Sequence, residues 1–110
     1  MMTREFVYTA PFQRSWKAMG LNDADQKILE EALLQNLQLG DVIEGTGGAR
    51  KMRIQLEGKG KSGGGLVIYV VVFELEKPYF LLASPKNVQD NLTPEQKKML
   101  RKLVEAIQKE

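Results

Sequence analysis

The chain has 110 residues, 43% of them hydrophobic and 27% charged, which indicates one globular domain and excludes a disordered or fibrous protein. It contains no Cys and no His, which excludes disulfides, zinc–thiolate sites, thiol nucleophiles and the most common general base near neutral pH. The net charge of +2 conceals a segregation, because residues 50–61 carry five basic side chains and one acidic one. Such a cluster can attract a polyanion, or it can be a solvated loop.

The beginning of the chain predicts a short strand over residues 6–9 and then a helix. Thr9 can cap that helix, since a proline two residues later is tolerated only in a helix's first turn. Gly20 can end the helix in a left-handed conformation. The apolar stripe of this helix, at helical spacing, is Phe12, Trp16 and Met19.

A second helix is predicted to begin at Asn22 and to close at Gly40. Two aspartates near its start favour a helix N-terminus at this position, because they interact with the positive end of the helix dipole. The two helices are expected to form an antiparallel hairpin. The residues predicted to face the core from the second helix are Ile28, Leu29, Ala32, Leu33 and Leu37.

Three strands are predicted after a loop marked by glycines at residues 45–48. Residues 50–56 alternate, with Met52 and Ile54 on one face and Arg53 on the other, which is typical of a half-buried strand. The next two strands are expected to pair with each other. They are the apolar, central strand at residues 66–73 and its partner at residues 79–84, joined by a turn at 74–78.

The last element is a helix that begins with a capping box, Thr93-Pro94-Glu95-Gln96. Its apolar stripe is interpreted as core and consists of Met99, Leu100, Leu103, Val104 and Ile107. The order β-α-α-β-β-β-α predicts an α+β domain over residues 1–110. In it, an N-terminal helical hairpin packs on a mainly antiparallel sheet that is followed by a C-terminal helix.

Residues 58–65 are predicted to form a loop rich in glycine and lysine. They match G-x-G-x-x-G, but a dinucleotide site or a P-loop needs a helix after the loop, and an apolar strand follows here. The loop does offer a backbone that another molecule can approach closely, beside the ammonium groups of Lys59 and Lys61. This is a phosphate-binding arrangement, and the alternative is a flexible hairpin tip with solubilising lysines.

Lys86 follows the last predicted strand, whose end is expected near this loop. If Lys86 converges with Lys59 and Lys61, repulsion between the ammonium groups favours a neutral lysine that can act as a base or an acid. Tyr69, inside the central strand, is interpreted as a core residue with a hydrogen-bonded hydroxyl. No acidic cluster has the ligand spacing of a Mg²⁺ or Ca²⁺ site, so chemistry without metal or cofactor is expected.

Five sets of residues, in order, resemble the RelE/ParE superfamily of bacterial toxins, and within it the HigB-type toxins of type II toxin–antitoxin modules. The resemblance covers residues 5–108. The segments are 47–53, 58–64, 67–69, 81–83 with 85–87, and 92–98.

The resemblance implies a microbial-ribonuclease-like fold and a metal-independent endoribonuclease that cleaves mRNA on the ribosome, by attack of a ribose 2′-hydroxyl on the adjacent phosphate. It also implies a cognate antitoxin, typically a helix-turn-helix protein of the HigA type, in a hetero-oligomeric complex. Position by position, it suggests RNA phosphate binding by Arg50, Lys51 and Arg53, and catalysis by Lys59, Lys61 and Lys86.

Two positions depart from the family pattern. Leu66 stands where the family has an Arg that contacts the scissile phosphate, and Ser84 stands where it has a Tyr. Because the loss of one transition-state donor costs roughly 10²–10³ in rate, these residues indicate an inactivated variant, natural or engineered. The alternative function is a toxin-fold binding protein without nuclease activity, either a gyrase inhibitor or an antitoxin-binding remnant.

The sequence also bears on location. No apolar run reaches the roughly 18 residues that a membrane span needs, and residues 1–6 do not begin a secretory signal. Since Cys is absent as well, the expected compartment is the cytoplasm.

Overall fold

The computed structural model describes residues 5–55, 64–72, 77–85 and 92–108. The strands form one sheet in the order β1-β5-β4-β3-β2, with β1 parallel to β5 and the other pairs antiparallel. The predicted α+β class with a mainly antiparallel sheet is therefore confirmed. The elements are β1 (Val7–Tyr8), α1 (Ala10–Ala18), α2 (Asp23–Gln35), β2 (Asp41–Val42), β3 (Arg50–Gln55), β4 (Gly64–Val72), β5 (Lys77–Pro85) and α3 (Pro94–Gln108).

The central strand β4 is buried on both faces. On one face Val67, Tyr69 and Val71 pack in a core cluster with α1 and α2. On the other face Ile68 and Val70 pack against α3. Since side chains alternate along a strand, burial on both faces explains why nearly every residue of this strand is apolar.

The predicted starts of the first two helices are confirmed. The Thr9 hydroxyl accepts a hydrogen bond from the N–H of Phe12, and Gly20 lies beyond the end of α1 with φ +80°. At α2, Asn22 and Asp25 form a capping box, in which each side chain accepts from the other's backbone N–H at 3.1 and 3.0 Å. These local hydrogen bonds fix where both helices enter the fold.

The second helix ends earlier than predicted, at Gln35 rather than at Gly40. Asn36 is extended, and its side chain accepts a hydrogen bond from the N–H of Gln38 in a turn of its own. The freed residues, 36–40, lead into the short edge strand β2, which the sequence did not predict. Ile28 is 45% exposed, so its prediction as a core residue is wrong.

The fifth strand begins earlier than predicted. Lys77 and Pro78, expected in a turn, belong to β5, and Pro78 is paired with Val71 of β4. Proline is tolerated there because it stands near the strand's beginning, before the parallel pairing with β1 starts at Tyr79.

The C-terminal helix begins where the sequence predicts. The Thr93 N–H donates to the side chain of Gln96 at 2.9 Å, and the Gln96 N–H donates back to the Thr93 hydroxyl at 3.1 Å. Leu100, Val104 and Ile107 are buried as predicted, whereas Met99 is 71% exposed and is not a core residue. None of the helices in the described ranges is both long and apolar enough to cross a membrane.

Tyr69 is fully buried, and its hydroxyl has two partners. It donates to the carbonyl of Leu37 and accepts from the N–H of Gly40, both at 2.9 Å. Burial raises the pKa of the phenol, while the Gly40 N–H and the charge of Arg50 act in the opposite direction. The interpretation of Tyr69 as a core residue with a satisfied hydroxyl is confirmed.

Tyr69→Phe is expected to lower the free energy of unfolding by about 1–3 kcal/mol. The ring would stay, but the Leu37 carbonyl and the Gly40 N–H would lose their partner in a buried place. Urea unfolding measures the loss. The half-buried Tyr79 is the matched control, since Tyr79→Phe removes the same hydroxyl and should change stability by less than about 0.5 kcal/mol. Equal losses in the two variants would contradict the role of the Tyr69 hydroxyl.

Candidate functional site

Three residues singled out by the sequence lie in one row across the sheet. Arg53 of β3 is directly opposite Leu66 of β4, and Leu66 is directly opposite Ser84 of β5. Directly opposite residues point to the same face, and this is the face of α3 because Ile68, two residues after Leu66, packs against that helix. Leu66 and Ser84, the two positions at which the resemblance predicts an Arg and a Tyr, are therefore neighbours.

Three strand ends meet beside this row. Gln55, the last residue of β3, is paired with Gly64, the first of β4, and Gly65 is paired with Pro85, the last of β5. The chain thus leaves β3, enters β4 and leaves β5 at one end of the sheet. The predicted catalytic residues Lys59, Lys61 and Lys86 lie outside the described residues, and it is the strand ends on either side of them that the structure brings together.

Two grooves meet at Lys51 and Leu66, whose side chains are on the α3 face of the sheet. The first has a volume of about 330 Å³ and the second about 200 Å³. Besides the two shared residues, the first groove is lined by Leu39, Asp41, Met52 and Arg53. The second is lined by Val42, Ile43, Glu44, Ile68, Leu92 and Lys97.

The charges of these grooves surround an apolar centre. Three cations line them, Lys51, Arg53 and Lys97, together with the carboxylates of Asp41 and Glu44. Leu66, which borders both grooves, is only 7% exposed and offers no hydrogen-bond donor. The arrangement can hold a phosphate through charge-assisted hydrogen bonds from the cations and can contact a base through the apolar residues. At position 66 it cannot stabilise charge.

Arg50 lies on the opposite face of the sheet from Lys51 and Arg53. It is opposite Tyr69 in the register, and its guanidinium donates to the carbonyl of Gly40 at 2.7 Å. The structure therefore separates this predicted phosphate ligand from the other two. In the position observed, Arg50 holds the segment between α2 and β2.

A tight connection joins β2 to β3, the strand that carries Lys51. Thr46 is fully buried, and its hydroxyl donates to the Ile43 carbonyl at 2.6 Å and accepts from the Ala49 N–H at 3.1 Å. Gly48 has φ +119°, a conformation that side-chain-bearing residues rarely adopt. This turn positions the start of β3, and with it Lys51.

The sequence reasoning missed Lys97. This residue stands three positions before Leu100 and seven before Val104, which are buried against the sheet. A cation in the sheet-facing stripe of an amphipathic helix is the signal that could have identified it. Glu44 was missed because the neighbouring strand β2 was not predicted.

Other surfaces of the described residues have a different character. The groove between α3 and β5 is almost wholly apolar, with Gln96 as its polar lining residue, and the groove along α1 and α2 carries a single lysine, Lys17. In the described ranges, no group of three or more His, Cys, Asp or Glu side chains could hold a metal ion. The two grooves that meet at Lys51 and Leu66 are therefore the candidate functional site.

Comparisons with known proteins give one family and one solved structure. The family model described as "RelE toxin of RelE / RelB toxin-antitoxin system" matches residues 5–110. The chain is also similar to the crystal structure of the isolated E. coli RelE toxin, with 12% sequence identity and a TM-score of 0.49. That alignment covers 92% of this chain and 99% of the RelE chain.

Proposed function

The chain belongs to the RelE toxin family of toxin–antitoxin systems, and we propose that it is a type II toxin that cleaves mRNA on the ribosome. Its partner is a cognate antitoxin, a helix-turn-helix protein of the HigA type, and both act in the cytoplasm. The observation that carries the proposal is the row of Arg53, Leu66 and Ser84. This row lies beside the strand ends that precede and follow the segment with Lys59 and Lys61.

The cations of the first groove suit stabilisation of charge during RNA cleavage. In the proposed reaction, the ribose 2′-oxygen attacks phosphorus, the bond from phosphorus to the 5′-oxygen breaks, and the products are a 2′,3′-cyclic phosphate and a 5′-hydroxyl. Negative charge grows on the phosphate in the transition state. Lys51 and Arg53, which line the first groove, are assigned the task of stabilising that charge.

Two proton transfers accompany this reaction, one from the 2′-hydroxyl and one to the leaving 5′-oxygen. Arginine is too basic to accept a proton, and the chain has no His, so lysine is the proposed base and acid. The proposal assigns these roles to Lys59, Lys61 and Lys86. Support comes from the pairing of Gly65, the second residue of β4, with Pro85, the last of β5, since Lys61 precedes β4 and Lys86 follows β5 in sequence.

Leu66 and Ser84 lower the mRNA cleavage activity that we expect of this chain. A buried leucine between Arg53 and Ser84 leaves the centre of the row without a donor. The same observation favours the alternative, a toxin-fold protein that binds gyrase or only an antitoxin and cleaves nothing.

Mapping cleavage sites on mRNA in a translating extract tests the proposal. We expect cuts within codons that occupy the ribosomal A site, which disappear when ribosomes are omitted. A matched extract that receives chain pre-mixed with its antitoxin should show none. Uncut mRNA together with inhibition of DNA supercoiling by gyrase would overturn the nuclease proposal.

Neutralising Lys59 and Lys61 together, as Lys59→Gln with Lys61→Gln, is expected to weaken binding to single-stranded RNA. Each phosphate contact contributes about 0.7 to the slope of log affinity against log salt, so the slope should fall by about 1.4. Fluorescence anisotropy across a salt series measures it. The exposed pair Lys98 and Lys102, changed to Gln, is the control with the same loss of charge. An unchanged slope in the loop variant would contradict phosphate binding by the loop.

A further inference from the structure

We propose that Lys97, in the first turns of α3, binds a backbone phosphate of the RNA and positions the strand in the second groove. The inference rests on the proposed function and adds to it a residue outside the β3–β5 row. It also extends the RNA-binding surface from the sheet onto the C-terminal helix.

Lys97 is held at the groove by its helix. Its N–H donates to the Thr93 carbonyl at 3.0 Å, directly after the capping box that fixes the helix start. The residue is half-buried, and its position in the stripe with Leu100 and Val104 directs it towards the sheet. In the described ranges, its ammonium group forms no salt bridge, that is, no contact of 4 Å or less with a carboxylate oxygen. Its charge is therefore available to a ligand in the groove.

The two grooves share Lys51 and Leu66, and each is lined by one further cation. Lys97 lines the second groove, Arg53 lines the first, and Lys51 borders both. Apolar side chains, Leu66 and Leu92, line the second groove as well. An RNA single strand presents both phosphates and the apolar faces of its bases, so a lining of cations and leucines fits it better than it fits an isolated anion.

Glu44 is the carboxylate that lines the same groove as Lys97. If the lysine served only to balance that carboxylate, its removal would change stability and leave the salt dependence of RNA binding as it was. A salt series therefore separates a phosphate ligand from a structural cation.

The test compares Lys97→Gln with Lys98→Gln, which removes the same charge from the adjacent, exposed position of α3. Binding of a short single-stranded RNA is followed by anisotropy from low to high salt. For Lys97→Gln we expect a slope smaller by about 0.7 than that of the unmodified chain, and weaker binding at low salt. Lys98→Gln should retain the original slope, and Lys97→Arg should restore it, since both cations bind phosphate.

The outcomes distinguish this inference from the proposed function. If the unmodified chain binds RNA with a clear salt slope and Lys97→Gln retains that slope, the role of Lys97 is overturned and the proposed function stands. If the unmodified chain shows no salt-dependent RNA binding, phosphate binding in the grooves is overturned, and the mapping of cleavage sites on translating ribosomes tests the proposed function separately. Thermal unfolding of each variant shows whether its fold is intact.

Discussion

Leu66→Arg combined with Ser84→Tyr is expected to give a chain that arrests growth when it is induced. The two residues are directly opposite each other, beside Arg53, so the double variant adds a guanidinium and a phenol to one row. Because one transition-state donor contributes roughly 10²–10³ in rate, mRNA cleavage should increase by about 100-fold or more.

The surroundings of Leu66 can accept an arginine. Although the leucine is 7% exposed, it borders both grooves, so a longer side chain can carry its charge out of the sheet and into open space. Arg53 is directly opposite and would repel the new guanidinium, a modest cost for a cross-strand pair of like charges. Glu44, in the second groove, offers an opposite charge.

The control variant is Leu66→Gln with Ser84→Phe, which has similar volume but neither the cation nor the phenolic hydroxyl. It should leave growth unchanged and cleave mRNA in a translating extract no faster than the unmodified chain. A folded Leu66→Arg, Ser84→Tyr chain that is equally harmless would show that these two residues are not what limits activity.

Helix starts were predictable because they depend on local chemistry. Asn22 with Asp25, and Thr93 with Gln96, satisfy backbone N–H groups within three residues, and this pattern is visible in the sequence. The alternation of apolar and polar residues in β3 is also a local pattern, and it predicted that Arg53 is on the opposite face from Met52 and Ile54.

The edges of the apolar stripes could not be predicted in the same way. Ile28 and Met99 satisfy helical spacing, yet they are exposed because the sheet covers only the middle of each stripe. How far the cover extends depends on neighbouring elements. The end of α2 and the two-residue strand β2 likewise depend on the buried hydroxyl of Tyr69, which bonds to Leu37 and Gly40 from another part of the chain.

The composition of the site was easier to predict than its geometry. That Leu66 and Ser84 are adjacent depends on the register of β4 and β5, which shifts between Ile68 and Tyr69. A shift of one residue exchanges the faces of a strand, and the sequence contains no direct sign of where it falls. The separation of Arg50 from Lys51 follows from alternation alone, but its bond to the Gly40 carbonyl does not.

Phe80→Ala is expected to lower the free energy of unfolding by about 3–5 kcal/mol. The ring is fully buried, and the ring centroids of Phe6, Tyr8 and Phe12 lie 5.9, 4.9 and 5.3 Å from its own. Alanine would leave a cavity between β5 and α1 that packed neighbours fill only in part. Since domains are stable by roughly 5–15 kcal/mol, the loss is a large fraction of the total.

Denaturant unfolding measures this loss as a lower midpoint with an unchanged slope of the unfolding free energy against denaturant. The control is Met99→Ala, at the exposed face of α3, which should change stability by less than about 0.5 kcal/mol. A loss below about 1 kcal/mol for Phe80→Ala would contradict the central role of the ring.

The Phe80 carbonyl also accepts hydrogen bonds from the N–H and the hydroxyl of Thr9, at 3.1 and 2.9 Å, and so connects β5 to the start of α1. Because β5 carries Ser84 to its position opposite Leu66, a variant that loosens this strand should weaken any function of the row even where the chain still folds.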